Sequence, residues 1–405
     1  MIKKIKKMLP LLLILVVANL LFKGFLVHQY PNSLSSEEIT IIKSLPFLKG
    51  LNNYHWLRLI PVILSTLTSI LAYELAYKKT KLKWLSFIVG LTFAYSPWIF
   101  VISRYLNYYI AVTTIVLLIS YLLSLIRSSY KLSFLLNLSV LLAFRYFCLN
   151  SPWSYKTVVA NYGELFKIFD LRNLFFVGDY LSPFIHIPKT GFFLHIEFIP
   201  FLFGLVNLML EKNNREIKKI ILYISSLGVI WFFITPENLM ISYKGLLIFL
   251  GVSLTIAFGY WSLMKKVPAG RFIVLLLLAI NIFFYQELFY FHFDRKNSSE
   301  WGYAEENISL WLKDNHLSLE HVYVSDDAAR FIDYLPYLAK SFDPKKIVIL
   351  KQDRLQNNWR NDCSGKNRIC IVRESDLKLM GLEKNRAKKT INYYNGLPAY
   401  FIINR

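Results

Sequence analysis

The sequence predicts an all-α polytopic membrane domain over residues 1–291, followed by a small extracytoplasmic α/β domain over residues 292–405. Hydrophobic residues make up 55% of the 405 residues, and charged residues only 18%. A soluble domain carries about 25% charged residues, so this composition argues against an ordinary water-soluble enzyme. After about residue 291 the long apolar runs end and short strand-like segments begin, which predicts the second domain.

About nine stretches are apolar and long enough for spanning helices, which need roughly 20 residues to cross a bilayer. The stretches are Leu9–Val27, Trp56–Ala76, Trp84–Ser103, Tyr109–Ile126, Leu132–Leu149, Phe192–Leu210, Ile220–Thr235, Tyr243–Met264 and Phe272–Phe291. The first stretch follows a run of lysines, as in a signal peptide, but no small-residue cleavage site follows it. We therefore expect it to be retained as an anchor.

Basic residues predict the orientation, because cytoplasmic loops carry an excess of Lys and Arg. With the N-terminus inside, the segments that face the cytoplasm are 1–8, 77–83, 127–131, 211–219 and 265–271. They hold 17 Lys and Arg residues. The net charge of the chain is +21, and most of the excess lies in the apolar part. We therefore expect a multi-pass plasma-membrane protein that contacts membrane lipids and does not bind nucleic acid.

The last 114 residues, 292–405, have the pattern of a small α/β unit. The spacing predicts a helix over Tyr303–Asp314. His321–Ser325 and Ile347–Leu350 predict buried strands, and a helix over Asp326–Ala339 between them suggests a parallel pair. Further strands are expected at Ile369–Val372 and Ala399–Ile403.

Two cysteines, Cys363 and Cys370, flank a glycine-containing segment in this external domain. A disulfide closing a hairpin is one interpretation, and two separate thiols are the other. A zinc site would be incomplete, because no histidine lies nearby in the sequence.

The first outer loop, residues 29–55, carries two adjacent acids, Glu37 and Glu38, after two serines and before an apolar run. One interpretation is structural: serine caps a helix and the acids occupy its first turn. The other is catalytic, because an ionised carboxylate near the bilayer surface can act as a general base.

The second outer loop, residues 150–191, is aromatic and too polar to span, so we expect interfacial helices. Asp179, His186 and Lys189 are among its polar side chains. Each is either a solvated interfacial group or a contact to substrate. A loop of this length in a compact protein is usually functional.

Four charged residues lie in or at the outer ends of the predicted spans. Arg104 and Lys244 either extend toward lipid headgroups or hold a lipid phosphate. Arg145 and Glu197 lie within spans, where charges are costly and tend to pair. We therefore expect a mutual ion pair between those two.

Several of these segments together resemble a known pattern. The acids of the first loop, the segment SPWIFVISR, the long outer segment with its "FLFF.GD" and "tG" elements, and the Trp-Gly-Tyr stretch after the last span occur in that order. The chain is similar in these respects to bacterial membrane glycosyltransferases of the GT-C fold, family 39, which resemble dolichyl-phosphate-mannose–protein mannosyltransferases. The similarity extends to about residue 340.

The resemblance implies a GT-C-like helical domain and inverting transfer of a sugar from a polyprenyl-phosphate donor, on the outer face, to a glycan, lipid or protein acceptor. It implies that Glu37 is the base, assisted by Glu38. Arg104 and Lys244 would hold the lipid phosphate, and Asp179, His186 or Lys189 would contact sugar or acceptor. The family has Asp at the position of Glu37, and its usual Arg near the GD element is missing here.

Two alternatives stay open: a non-catalytic membrane protein, and a ligase or polymerase that acts on lipid-linked glycans. A non-catalytic transporter or an assembly factor for lipid-linked glycans would also be polytopic, although a transporter is expected to carry polar residues at mid-membrane and broken helices in paired halves. The sequence leaves undecided whether a divalent cation assists Glu37.

Overall fold

The computed structural model describes residues 2–25, 27, 33–44, 54–126, 130–148, 155–178, 187, 190–210, 215–236, 239–293, 301–365 and 367–404. Contacts divide the chain into two compact units. The helical unit comprises Met1–Val27 and Trp56–His292, and the C-terminal unit comprises His28–His55 and Phe293–Arg405. The first outer loop was predicted as part of the membrane domain, whereas the structure groups residues 28–55 with the C-terminal residues.

The described part of the chain is mostly helical. In chain order its α-helices are α1 Ile2–Gly24, α2 Ser36–Ser44, α3 Leu59–Thr80, α4 Lys83–Tyr95, α5 Pro97–Ile102, α6 Tyr109–Leu125, α7 Tyr130–Cys148, α8 Tyr155–Phe169, α9 Phe198–Leu210, α10 Arg215–Ile234, α11 Ile241–Lys244, α12 Leu246–Lys266, α13 Gly270–Glu287, α14 Tyr303–Asn315, α15 Leu335–Leu338, α16 Gln352–Asn357, α17 Trp359–Asp362 and α18 Glu374–Leu379.

Four described helical segments are long and apolar enough to cross a membrane: Trp56–Thr80, Arg215–Ile234, Leu246–Lys266 and Gly270–Phe293. Shorter apolar helices cover Leu9–Gly24, Lys83–Tyr95, Tyr109–Leu125 and His195–Leu210. The structure is thus compatible with a membrane protein, while nine spans stay a prediction. Most of the shorter helices coincide with predicted spans but have fewer residues than a full crossing needs.

Helix α12 forms the centre of the helical unit, since nearly all its residues from Leu246 to Tyr260 are buried. Glycines allow α9 to approach it closely. A Cβ atom at Gly259 would lie 1.7 Å from the carbonyl oxygen of Pro200, and one at Gly204 would lie 2.2 Å from that of Thr255. Small residues at a crossing let two helix backbones approach in this way.

Helix ends that were predicted to share the cytoplasmic side lie together. The ammonium group of Lys79, in α3, lies 4.3 Å from the ring centroid of Tyr130, at the start of α7. The Tyr130 hydroxyl donates to Glu216 Oε2, in α10, over 3.2 Å. The ends of three helices therefore meet as the topology requires, while the orientation in a membrane stays a prediction.

The C-terminal unit contains a mixed five-stranded sheet of order β2-β1-β3-β5-β4. Its strands are β1 His321–Ser325, β2 Ile347–Leu350, β3 Arg368–Val372, β4 Lys389–Asn392 and β5 Pro398–Ile403. Strand β1 pairs in parallel with β2 and β3, whereas β5 is antiparallel to both β3 and β4. The four predicted strands and the parallel pair are confirmed; β4 was not predicted.

Helices cover both faces of this sheet. Residues of α14, of the 3₁₀ helix Asp326–Tyr334 and of α15 pack on one face. Residues of α16, α17 and α18 pack on the other. Cys363 follows α17 and Cys370 lies in β3; they form a disulfide with a Cα–Cα distance of 5.4 Å. The disulfide interpretation is therefore confirmed.

Candidate functional site

A reciprocal pair of hydrogen bonds fixes the N-terminus of α2, which carries the two acids of the first outer loop. The backbone N–H of Glu38 donates to Ser35 Oγ over 3.1 Å, and the N–H of Ser35 donates to Glu38 Oε2 over 2.9 Å. This arrangement is a capping box, in which two otherwise unsatisfied backbone donors find partners. The predicted serine cap with acids in the first turn is confirmed.

The two acids have different surroundings. Glu38 is 1% exposed, and its carboxylate accepts the Ser35 N–H. Glu37 is partly exposed, and one helical residue turns the side-chain direction by about 100°. Glu38 therefore positions the helix, while Glu37 is the more exposed acid of the pair.

The residues before α2 are bound to the C-terminal part of the same unit. The Tyr334 hydroxyl donates to the carbonyl oxygen of Leu34 over 3.0 Å, and the Ser33 hydroxyl donates to that of Trp301. A Cβ atom at Gly302 would lie 2.1 Å from the Tyr334 hydroxyl oxygen. The Trp-Gly-Tyr stretch thus supplies a glycine where the approach is too close for a side chain. Burial raises the pKa of Tyr334, and the charge of Glu305 adds to the increase.

The C-terminal unit also buries a carboxylate. Glu305, in the first turn of α14, is 0% exposed and accepts a hydrogen bond from the Tyr400 hydroxyl over 2.9 Å. Its Oε1 lies 3.9 Å from Arg330 Nε and 3.8 Å from Arg373 Nη2. Two partly exposed guanidinium groups therefore compensate one buried charge, and the cluster ties α14 to the sheet.

Arg104, in the helical unit, is fully buried and binds the C-terminal end of α1. Its guanidinium donates to the carbonyl oxygens of Lys23 over 2.9 Å and Phe25 over 2.7 Å. Basic side chains commonly satisfy the last carbonyls of a helix. Burial lowers the pKa of Arg104 to about 10, and the positive charge of Arg58 contributes to the decrease.

Two further cations are buried in this region of the helical unit, although the sequence did not identify them. Lys23, in α1, and Arg58, just before α3, are both 0% exposed. Lys23 Nζ donates to Asn19 Oδ1 over 2.9 Å and to the Phe93 carbonyl over 3.0 Å. Among the described residues these acceptors of Lys23 are neutral. A buried charge is costly without a partner of opposite sign.

Lys244 is fully buried at the end of α11. Its ammonium group donates to Glu164 Oε2 over 2.6 Å and to Asn161 Oδ1 over 2.8 Å, both in α8. Asn161 in turn donates to the carbonyl of Thr235 over 2.8 Å. The predicted second outer loop contains helix α8, which exposes apolar side chains such as Tyr162 and Phe166. Its position at a membrane interface stays a prediction.

The predicted ion pair between Arg145 and Glu197 is wrong. Glu197 is fully buried, and its Oε2 accepts the N–H of Leu194 over 2.8 Å. It thereby caps the 3₁₀ turn before α9, and no ion pair joins it to Arg145, although both residues are described. The cost of burying a charge predicts an ion pair between distant residues, but Glu197 instead accepts a hydrogen bond from a nearby backbone N–H.

Three predicted site residues, Asp179, His186 and Lys189, lie outside the described residues. The other four divide between the units: Glu37 and Glu38 belong to the C-terminal unit, and Arg104 and Lys244 to the helical unit. Within the described ranges, no three His, Cys, Asp or Glu side chains form a group that could hold a metal ion.

Comparison with protein-family models, with curated proteins and with solved structures gave no significant match for this chain. The evidence for function therefore comes from the residues of this chain.

The sequence did not indicate two of the buried basic residues of the helical unit. Lys23 lies inside an apolar run, and Arg58 resembles an ordinary charged residue at the end of a span.

Proposed function

We propose that this protein is an inverting glycosyltransferase that moves a sugar from a polyprenyl-phosphate donor to an envelope acceptor outside the plasma membrane. One observation carries the proposal: Lys23, Arg58 and Arg104 are fully buried in one part of an apolar helical unit. Buried cations in a membrane domain are costly and are usually retained for function. The phosphate of a lipid-linked donor is an anionic ligand of the kind that such basic side chains bind.

The proposed reaction needs a base and a stabilised leaving group. The acceptor hydroxyl attacks the anomeric carbon opposite the phosphate, and the Glu37 carboxylate takes the hydroxyl proton. The bond from the anomeric carbon to the phosphate oxygen breaks, and its electrons leave with the lipid phosphate. Cationic side chains stabilise that charge, so the leaving group needs no proton donor. Arg104 and Lys23 are the candidates for this role.

The other predicted residues take narrower roles in this proposal. Glu38 keeps α2 in place through its capping box and is a positioning residue. Lys244 is neutralised in part by Glu164, so we assign it to holding α8 beside α11, with phosphate contact as its second role. Asp179, His186 and Lys189 stay candidates for sugar or acceptor contacts.

A non-catalytic transporter or an assembly factor for lipid-linked glycans is the second candidate. One observation favours it: Glu197 is a fully buried acid in the helical unit, near the tyrosines Tyr95 and Tyr260. Buried acids inside membrane domains often belong to ion or proton pathways. Flux of a labelled lipid-linked sugar across vesicles without transfer would favour this candidate.

The test is glycan transfer from labelled polyprenyl-phosphate sugars by vesicles that contain the full chain. Glu37→Gln keeps the size of the side chain and removes the base. We expect transfer to fall by about 10²- to 10⁴-fold, at unchanged protein level. The matched control is Glu320→Gln, an exposed acid of the same unit, which should retain transfer.

Two results would contradict the proposal. If Glu37→Gln transfers sugar at the wild-type rate, Glu37 does not act as the base. If the wild-type protein transfers no sugar from any polyprenyl-phosphate donor, the transporter or assembly factor is favoured instead.

A further inference from the structure

A groove opens between α7 and α10 at the end of the helical unit that is predicted to face the cytoplasm. Its volume is about 560 Å³, and its lining residues include Tyr130, Lys131, Leu135, Lys219 and Leu222. None of the proposed catalytic or phosphate-holding residues lines it. The groove is therefore a separate feature of the helical unit.

One end of the groove is basic, and the surface further along it is apolar. Lys131 is the second residue of α7 and Lys219 is the fifth residue of α10, so both carry positive charge near the starts of these helices. Further along the same helices, Leu135 is 59% exposed and Leu222 is 69% exposed. A basic end followed by an apolar surface matches a phospholipid, which has a charged head and apolar chains.

Positive charge dominates the basic end. Lys131 has no ion-pair partner in the described part of the chain, and Lys79 lies over the Tyr130 ring at 4.3 Å. Lys219 donates to Glu216 Oε1 over 2.6 Å, and Glu216 also accepts the Tyr130 hydroxyl. Among the described side chains named here, three lysines accompany one carboxylate, which leaves a formal charge of about two positive units for a phosphate to neutralise.

One wall of the groove is fixed by a buried polar network. The Tyr223 hydroxyl shares a hydrogen bond with Ser133 Oγ over 2.8 Å and accepts one from Asn137 Nδ2 over 2.5 Å. Asn137 also donates to Ser120 Oγ over 3.0 Å. A wall held by these four side chains keeps its shape when the groove is empty, which reduces the ordering cost of binding.

We propose that this groove binds an anionic phospholipid of the leaflet at this end of the helices. The lipid phosphate lies between Lys131 and Lys219, and an acyl chain lies along Leu135 and Leu222. Basic pockets between membrane helices on the cytoplasmic side are suited to anionic headgroups. A choline headgroup is disfavoured, because its quaternary ammonium would lie against the lysines. The proposal does not depend on the glycosyltransferase assignment.

The test measures lipid binding to the full chain in detergent by native mass spectrometry, with phosphatidylglycerol, phosphatidylcholine and inorganic phosphate as separate probes. Each lysine near a phosphate contributes about fivefold in affinity. We therefore expect Lys131→Gln to weaken phosphatidylglycerol binding about fivefold and Lys131→Gln/Lys219→Gln about 25-fold.

A matched control removes the same charge from the same end of the helical unit. Lys265 and Arg271 are exposed and lie outside the groove, so Lys265→Gln/Arg271→Gln should leave phosphatidylglycerol binding within about twofold of wild type. If both double variants lose affinity equally, the effect is general electrostatics and the site is refuted.

Two further outcomes would also overturn the proposal. Equal affinity for phosphatidylcholine and phosphatidylglycerol would show that the groove does not select charge. Inorganic phosphate that displaces phosphatidylglycerol at equal concentration would show that the acyl chain makes no contact. The single variant at Lys131, an exposed side chain, keeps the test valid if the double variant folds poorly.

Discussion

Replacing Lys23 by methionine tests whether this side chain serves donor binding or only the stability of the fold. Methionine has a similar length and is apolar, so the substitution removes the charge and keeps most of the volume. Lys23 is fully buried, and its two described hydrogen bonds go to Asn19 and to the carbonyl of Phe93. That carbonyl has no intrahelical partner, because the residue four positions later is Pro97 and lacks an N–H.

The free-energy terms of this substitution oppose each other. Two hydrogen bonds from a charged donor contribute about 3–6 kcal/mol to stability, and the effective penalty for burying an ammonium group is several kcal/mol. Asn19 Oδ1 keeps the Ser69 hydroxyl as a partner at 2.9 Å. We therefore expect the free energy of unfolding of Lys23→Met to stay within about 2 kcal/mol of wild type.

Donor binding should respond differently. If Lys23 faces the lipid phosphate, the loss of one charged hydrogen bond weakens the donor Kd by about 10- to 150-fold. The assay combines thermal unfolding in detergent with binding of a labelled polyprenyl-phosphate sugar, and Lys265→Met, an exposed lysine, is the control. A large fall in Tm with unchanged donor affinity would refute our reasoning, because Lys23 would then be a structural donor only.

Three further predictions concern the fold. Gly259→Ala should destabilise the helical unit by about 1–3 kcal/mol or more, because the new Cβ would lie 1.7 Å from a carbonyl of α9. The control is Gly163→Ala in α8, where a Cβ atom would meet nothing within 4 Å, so this substitution should be neutral or stabilising. Thermal unfolding measures the stability of both variants. Equal effects of the two substitutions would contradict the close packing of α9 and α12. The double variant Cys363→Ala/Cys370→Ala should lower the free energy of unfolding by about 2.5 kcal/mol, since the disulfide closes a short loop. A reductant should lower the Tm of the wild-type protein by the same amount as the double substitution does. An unchanged Tm would mean that the disulfide does not restrict the unfolded chain. Glu305→Ala removes the acceptor of the buried Tyr400 hydroxyl and the anionic neighbour of two partly exposed arginines. It should lower the free energy of unfolding by about 1–3 kcal/mol, whereas no measurable loss in denaturant unfolding would show that solvent already compensates these groups.

Features that depend on neighbouring residues were predictable from the sequence. The strands His321–Ser325 and Ile347–Leu350 are short runs of β-branched residues, so apolar content and length identify them. The capping box of Ser35 and Glu38 joins residues three apart and was visible as serine followed by acid. In these places the local preference and the tertiary structure agree.

Features that depend on distant residues were not predictable. Strand β4, Lys389–Asn392, has only Ile391 buried, because it lies at the sheet edge, where basic residues are favoured and alternation is weak. The grouping of residues 28–55 with the C-terminal unit arises from contacts such as Tyr334 with Leu34, 300 residues apart. Lys23 finds one of its two described acceptors, the Phe93 carbonyl, in α4. In each case the contacting partners are far apart in the sequence.

The local geometry of α2 distinguishes its two adjacent acids, which the sequence motif alone does not distinguish. A capping box requires the third helical residue to turn back toward the cap, so Glu38 gives its carboxylate to the Ser35 N–H. The second residue, Glu37, is turned away by about 100° and is partly exposed. A negatively charged side chain is favourable at a helix N-terminus, and the base proposed for the reaction has to be a carboxylate. In the proposed reaction Glu38 therefore positions α2, and Glu37 is the acid that takes the proton.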